Sequence, residues 1–304
     1  VFLVPDWQPV KRRNQQHEQP TTQFLREHVQ RLFANLPGAQ AGKEEPIHQI
    51  RVASRRLRVA LPVAAQRPTG RRVRRSLRRL RALTRLAGQG RDLDVSVALF
   101  DAEAPRVESP MAVRLLRSRL ATARDHAHAG LAKALAAFDA TRLHEDLDLL
   151  IARGGADSGE AALRLAEARR RHARVALDEL RALGRHFAPM ALHAIRRHCR
   201  WLRYAAELDR ALFGGRASAV RRFKDLQEIL GKLHDAFVLA EWIAREAASW
   251  EARGKAAHAA AARVVAAHFR DRAQALHRRF LRANTADWLD SALRRNAALL
   301  KHAA

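Results

Sequence analysis

The stretch HQIRVASRRLR, residues 48–58, decides how this 304-residue chain is read. At 100° per residue, His48, Arg51, Arg55 and Arg58 are spaced three, four and three and fall on one helix face. Ile50, Ala53, Leu57, Leu61 and Ala64 fall roughly opposite. One face therefore packs, and the other presents a ladder of cations rising over about 15 Å at the rise of a helix. HAIRRHCRWLR, residues 193–203, repeats the ladder without a slip as His193, Arg196, Arg200 and Arg203. Pro46 and Pro189 stand just ahead of the two ladders, where a missing N–H costs nothing because first-turn donors are unpaired. Pro62 lies inside the first helix and should kink or end it.

A basic stripe on a helix is most often a solvated face. Three features set these two apart: the spacing recurs in both halves, a histidine sits at the same end of each, and few carboxylates lie nearby, only Glu207 and Asp209 following the second ladder. The next helix enlarges the patch. RRVRRSLRRLRALTRLAG, residues 71–88, puts Arg71, Arg74, Arg75, Arg78, Arg81 and Arg85 along one side and turns Val73, Leu77, Leu80 and Leu83 inward. Adjacent unpaired arginine ladders repel unless their faces border a shared anion site. Such ladders are expected to contribute little to the core.

Each basic helix is followed by a second recurring element. LAGQGRDLDV at 86–95 aligns with ILGKLHDAFV at 229–238, sharing Gly-x-x-(Arg or His)-Asp at Gly88, Arg91, Asp92 and at Gly231, His234, Asp235. Glycine suits a tight helix-to-helix corner, and the aspartate suits an N-cap that also steers a nearby arginine.

Charge agrees with this arrangement. The chain carries 57 Lys and Arg against 31 Asp and Glu, a formal +26, more than solubility needs, and points to a polyanionic partner. Only seven of the cations are Lys. The arginine guanidinium grips phosphate through two parallel hydrogen bonds, but a GC-rich genome would produce the same bias, so arrangement has to decide. The single cysteine, Cys199, excludes an internal disulfide framework and fits a reducing compartment. It is read as a packed core residue. The opening VFLVPDWQPVKRR is a poor signal peptide, and no apolar run is long enough to span a membrane, so the expectation is a soluble, cytoplasmic protein. The first residue is Val, not Met, which leaves room for an upstream segment.

Gly and Pro are few, 14 and 10, and cluster between helical stretches, which makes the fold class all-α. Residues 1–19 read as a tail or linker with Trp7 as its one anchor. Helices are expected over about 20–36, 46–66, 71–87, 92–103, 108–137 and 139–153, then 159–187, 190–213, 216–231, 234–252, 255–282 and 285–303. The strongest break, GGADSG at 154–159, divides the chain into repeats of similar size, about 20–153 and 159–303.

These residues resemble the CHAD domain, the conserved histidine alpha-helical domain. Its pattern is a His-x-x-Arg-Val-x-x-Arg-Arg-Leu-Arg helix, a Leu-Gly-x-x-Arg-Asp-Leu-Asp-Val corner, and a second copy with a Lys-x-Leu-Arg-Tyr-x-x-Glu ending and then Leu-Gln-x-x-Leu-Gly. The present chain offers HQIRVASRRLR, LAGQGRDLDV, HAIRRHCRWLRYAAE and LQEILGKLHD in that order. It departs at Arg200, where the family often has Lys, and at Ala87, where the corner leucine would stand. The resemblance implies two pseudo-symmetric four-helix-bundle repeats flanking a basic channel or groove, binding of inorganic polyphosphate, and association with polyphosphate granules. It carries binding roles to His48, Arg51, Arg55, Arg56 and Arg58 and to His193, Arg196, Arg200 and Arg203. Arg74, Arg75, Arg78, Arg81 and Arg85 of the following helix, with Arg197, Arg221, Lys224 and Lys232 around the second ladder, complete the candidate polyphosphate-binding set. Protonation of the histidines, ordinarily near pH 6.5, would tighten binding at mildly acid pH.

Other functions fit less well. The Glu-x-Glu-x-Lys signature of the triphosphate tunnel (CYTH) domain, a frequent partner, is absent, as are a Walker loop and a spaced nucleophile, base and oxyanion set, so no enzyme activity and no cofactor are expected. No two of the fifteen histidines stand three or four apart, so no paired-histidine metal site is expected on a single helix. Nucleic-acid binding is the serious alternative, because a basic helical surface binds any phosphate backbone. Only Trp201 and Tyr204 could stack on bases among the basic faces, which makes nucleic acid secondary. A membrane-surface role ranks third, since the apolar faces have the spacing of bundle packing.

Overall fold

The computed structural model describes residues 18–291. The predicted tail, including Trp7, and the end of the last expected helix lie outside the described residues for all but positions 18, 19 and 285–291.

Among the described residues the fold is all-α, with a single isolated bridge between Ala65 and Gly155. Helix α1 runs Pro20–Ala34, α2 Leu36–Gln40, α3 Glu44–Ala64 and α4 Arg71–Glu103. A short 3-10 turn, Ala104–Arg106, leads to α5 Pro110–Ala136 and α6 Ala140–Ala152. Then come α7 Ser158–Leu183, α8 Pro189–Phe213, α9 Ala217–Glu251 and α10 Ala256–Leu281. Residues 285–291 are again helical.

The first ladder is α3, and its apolar face packs as its periodicity requires. Ile47, Ile50, Leu57, Leu61 and Ala64 are each at most 1 % exposed. Pro62 is tolerated near the end of the helix, which stops two residues later at Ala64. Pro189 occupies the first position of α8, while Pro46 lies in the first turn of α3, which begins earlier than expected, at Glu44.

The two expected corners do not exist. Gly88 and Asp92 lie inside the continuous 33-residue α4, and Gly231 and Asp235 inside the 35-residue α9. Neither glycine has a positive φ, and neither aspartate caps a helix. A helical glycine costs only about 1 kcal/mol relative to Ala. The core immediately beyond it offsets that cost.

That core is the unexpected feature. Phe100, Leu116, Leu120, Leu239, Ile243 and Phe269 belong to one cluster, built where the C-terminal parts of α4 and α9 meet α5 and α10. Phe100 and Phe269 stack across it at 6.0 Å. Each half of the chain contributes two helices to this bundle. Two further cores flank it: one around α1, α3, α4 and α6 with Leu165 of α7 and Leu208 of α8, the other around α7, α8 and α9 with Phe280 of α10. The halves therefore interlock, and α4 and α9 must be long and unbroken because each crosses from a flanking core into the shared one.

The 154–159 break is a true loop, and it is tied down. Gly154 takes φ +82°, and Asp157 caps α7 by accepting from the backbone N–H of Gly159 at 2.8 Å. Gly155 must be glycine, because a Cβ there would stand 2.2 Å from Thr21 Oγ1. The Gly155 N–H donates to Thr22 Oγ1 at 2.6 Å, and Ala156 N–H donates to Ala64 O at 2.8 Å. This loop pins the start of α1 against the end of α3.

Candidate polyanion groove

The packing leaves one face of α3, α4, α7 and α8 facing a groove of about 1080 Å³. Arg55 and Arg58 come from α3, Arg81 from α4, Arg197 and Arg200 from α8. These five were expected in the site. The fourth wall was not: α7 adds Arg164, Arg170, Arg171 and Arg174. Glu167 and Asp178 are the only carboxylates among the lining residues. Arg164 is held by Glu160 and by the carbonyl of Ala65 at 2.8 Å. The other eight groove arginines make no hydrogen bond or ion pair among the described residues.

Eight unpartnered guanidiniums lining one concavity focus positive potential there and attract an anion. Arg200 shows this most clearly. Burial together with Arg55 and Arg196 pulls its pKa down to about 9. Burial and the charges of Arg81 and Arg55 likewise lower Arg58.

The histidine ends of both ladders lie where α3, α4, α8 and α9 converge. Arg51 donates to the carbonyls of Ala87 and Gly88 at 3.0 and 3.1 Å and stands 3.4 Å from Asp92. Arg196 is 3.9 Å from Asp235. The aspartates expected to cap helices instead steer the two ladder arginines. Arg51 keeps only 11 % of its side chain exposed and Arg196 20 %, so these rungs pack against α4 and α9 and are part of the structure as well as of the basic face. His193 faces His234, ring centroids 4.7 Å apart.

The histidines are harder to protonate than expected. Burial lowers His48 and His193, with further lowering from Arg91, Arg51 and Arg55 at the first and from Arg196, Arg197 and Arg200 at the second. Burial, Arg196, His193 and Arg200 push His234 down to about 4. The rings are neutral near pH 7, and any gain from acidification lies below 6.5.

Several expected binding residues are engaged elsewhere. Arg56 of α3 and Arg203 of α8 converge on Glu207, at 2.9 and 3.0 Å, in a cross-half ion pair. Arg75 does not share the face of Arg81. With Arg72 and Arg79 it surrounds Asp146 of α6, whose carboxylate is 3 % exposed. Burial alone would raise that carboxyl, but the Arg75 hydrogen bonds and the charges of Arg75, Arg79 and Arg72 hold it below the usual range. Arg74, Arg78 and Arg85 are exposed on α4 on the Arg81 side. Arg221, Lys224 and Lys232 are exposed on α9, which does not wall the groove, and Lys232 pairs with Glu228 at 2.8 Å.

The missed wall had a signal. RRRHAR, residues 169–174, puts five basic side chains into six positions, and the buried Ala173, Ala176, Leu177 and Leu180 turn the remainder outward. It lacks a counterpart in the first half, so a search guided by the repeat passes over it. Among the described residues no group of three His, Cys, Asp or Glu is placed to hold a metal ion.

The CHAD domain family model matches residues 23–244, more than two thirds of the chain and all four walls of the groove. The chain belongs to the CHAD family. A solved structure described as PptA from Streptomyces chartreusis superposes with a TM-score of 0.67 at 20 % identity, covering 87 % of this chain and 97 % of that one. The CHAD domain from the plant Ricinus communis superposes with a TM-score of 0.59 at 21 % identity, covering 90 % of each chain. These likenesses establish the CHAD fold. Two uncharacterized proteins of Mycobacterium tuberculosis, from strains CDC 1551 / Oshkosh and H37Rv, are each 26 % identical over 249 residues, 78 % of this chain. The chain spans about half of their length, 47 %.

Proposed function

We propose that this CHAD domain, taken as one unit over residues 20–303, binds inorganic polyphosphate in the groove between α3, α4, α7 and α8 and so places the protein on polyphosphate granules in the cytoplasm. The observation that carries the reading is the set of eight groove arginines without a partner. A linear polyanion has no sequence to read. It needs repeated phosphate-gripping donors along a trough, and facing arginine ladders supply them. Family membership supports the same class of ligand. The role is binding and not catalysis: the groove offers cations and donors, and no step beyond charge neutralisation is assigned to it. Among the described residues no helix is long and apolar enough to cross a membrane.

The deciding experiment is a competition titration at physiological salt, with labelled long-chain polyphosphate as probe and duplex DNA as competitor. Retention of polyphosphate against a large excess of DNA phosphate supports a groove shaped for a thin chain. Displacement at comparable phosphate concentration would make the +26 chain a general polyanion trap and put nucleic acid first.

A further inference from the structure

One part of the groove wall is neither cationic nor needed for an inorganic chain. His172 of α7 lies flat on the indole of Trp201 of α8, ring centroids 3.9 Å apart and planes 10° apart. The imidazole is fixed a second time, because its Nδ1 meets Nδ1 of His198 at 3.0 Å. Both rings line the groove, as does Tyr204 less than one turn beyond Trp201. Arg171 and Arg174 flank the pair on α7, Arg197 and Arg200 on α8.

The pair is suited to a π-face. Burial, His198 and Arg171 push His172 down to about 4, so near pH 7 it presents a neutral aromatic surface among cations. Guanidinium planes add faces on which a base also stacks. The volume of about 1080 Å³ leaves room for a base beside a phosphate chain. Phosphate anhydride has no apolar surface to gain from such a wall, whereas a nucleobase does.

We propose that the groove takes nucleoside oligophosphates, with the base stacked at the His172–Trp201 pair and the phosphate chain on the arginines of α3, α7 and α8. This inference rests on the anion-groove reading and adds a base subsite to it. The alternative role for the aromatic pair is a strut between α7 and α8, which would affect every anion equally.

The test compares adenosine 5′-tetraphosphate with inorganic tetraphosphate as competitors of labelled long-chain polyphosphate, on the whole protein and on His172→Ala. The adenosine compound should compete about fivefold better on the unaltered protein, the low end of what one stacked base contributes. The ratio should fall to about one in His172→Ala, with inorganic tetraphosphate unchanged within about twofold. Equal competition on the unaltered protein overturns the base subsite and leaves the groove reading standing, and needs no variant. An equal loss for both competitors in His172→Ala assigns the pair to structure and also overturns it. Single-stranded RNA outcompeting the adenosine compound at equal base concentration would reassign the wall to nucleic acid. Failure of polyphosphate itself to bind refutes the groove, and the inference with it.

Discussion

Neutralising Arg171 and Arg174 tests whether the groove, and not the overall charge, binds the ligand. Both are exposed on α7 and unpartnered among the described residues, so Arg171→Gln with Arg174→Gln should change stability by no more than about 0.5 kcal/mol per site. Eight unpartnered guanidiniums against Glu167 and Asp178 leave about six phosphates to be neutralised. For flexible single strands each contributes about −0.7 to the slope of log affinity against log salt, giving a slope of about −4. Raising salt from about 50 to about 200 mM should therefore cost about 300-fold in affinity, and about 50-fold in the double variant, whose slope falls to about −3. The control removes the same two charges where they are engaged: Arg56→Gln with Arg75→Gln, whose guanidiniums are held by Glu207 and Asp146. Its slope should stay within about 0.3 of the unaltered protein. The assay is fluorescence anisotropy of labelled polyphosphate over a salt series, with circular dichroism to confirm helicity. Equal slope reductions in the two variants would refute the reasoning, because binding would then follow net charge wherever it sits.

Phe100→Ala should destabilise the protein by about 3–5 kcal/mol in denaturant titration, because it opens a cavity in the core that both halves share. The transition should remain single, whereas separate unfolding of two halves would contradict the interlocked cores. The lowered pKa values of His172 and His234, both about 4, set the pH response. In the free protein the unfolded state binds these protons first, so the contribution of the two histidines to stability falls as pH drops from about 6.5 to about 4 and is level below that. A polyanion bound in the groove raises the pKa of His172, which lines it, so calorimetry near pH 5.5 in buffers of different ionisation enthalpy should show proton uptake on binding. Zero uptake would place the phosphates away from that ring.

The sequence by itself determined the fold class, the helix faces and the family. Periodicity of apolar residues in α3 and α8 is local information, and so is the ladder spacing opposite it. The duplicated motif also marked the cationic faces, and its arginines at 55, 58 and 200 line the groove. Tertiary structure decided which cations are free. Arg75 and Arg81 look alike along the chain, yet they lie about 120° apart around α4, so one meets the buried Asp146 and the other the groove. Arg203 and Glu207 stand four apart on α8 and pair locally, but Arg56 joins the same carboxylate from the other half, a partnership with no local signature. The RRRHAR run marks a basic face on α7, but its place as a groove wall and the His172–Trp201 stack follow from how α7 packs beside α8. The glycines at 88 and 231 read locally as corners. Burial of apolar side chains from both halves beyond them outweighs the helical cost of a single glycine, and keeps α4 and α9 unbroken.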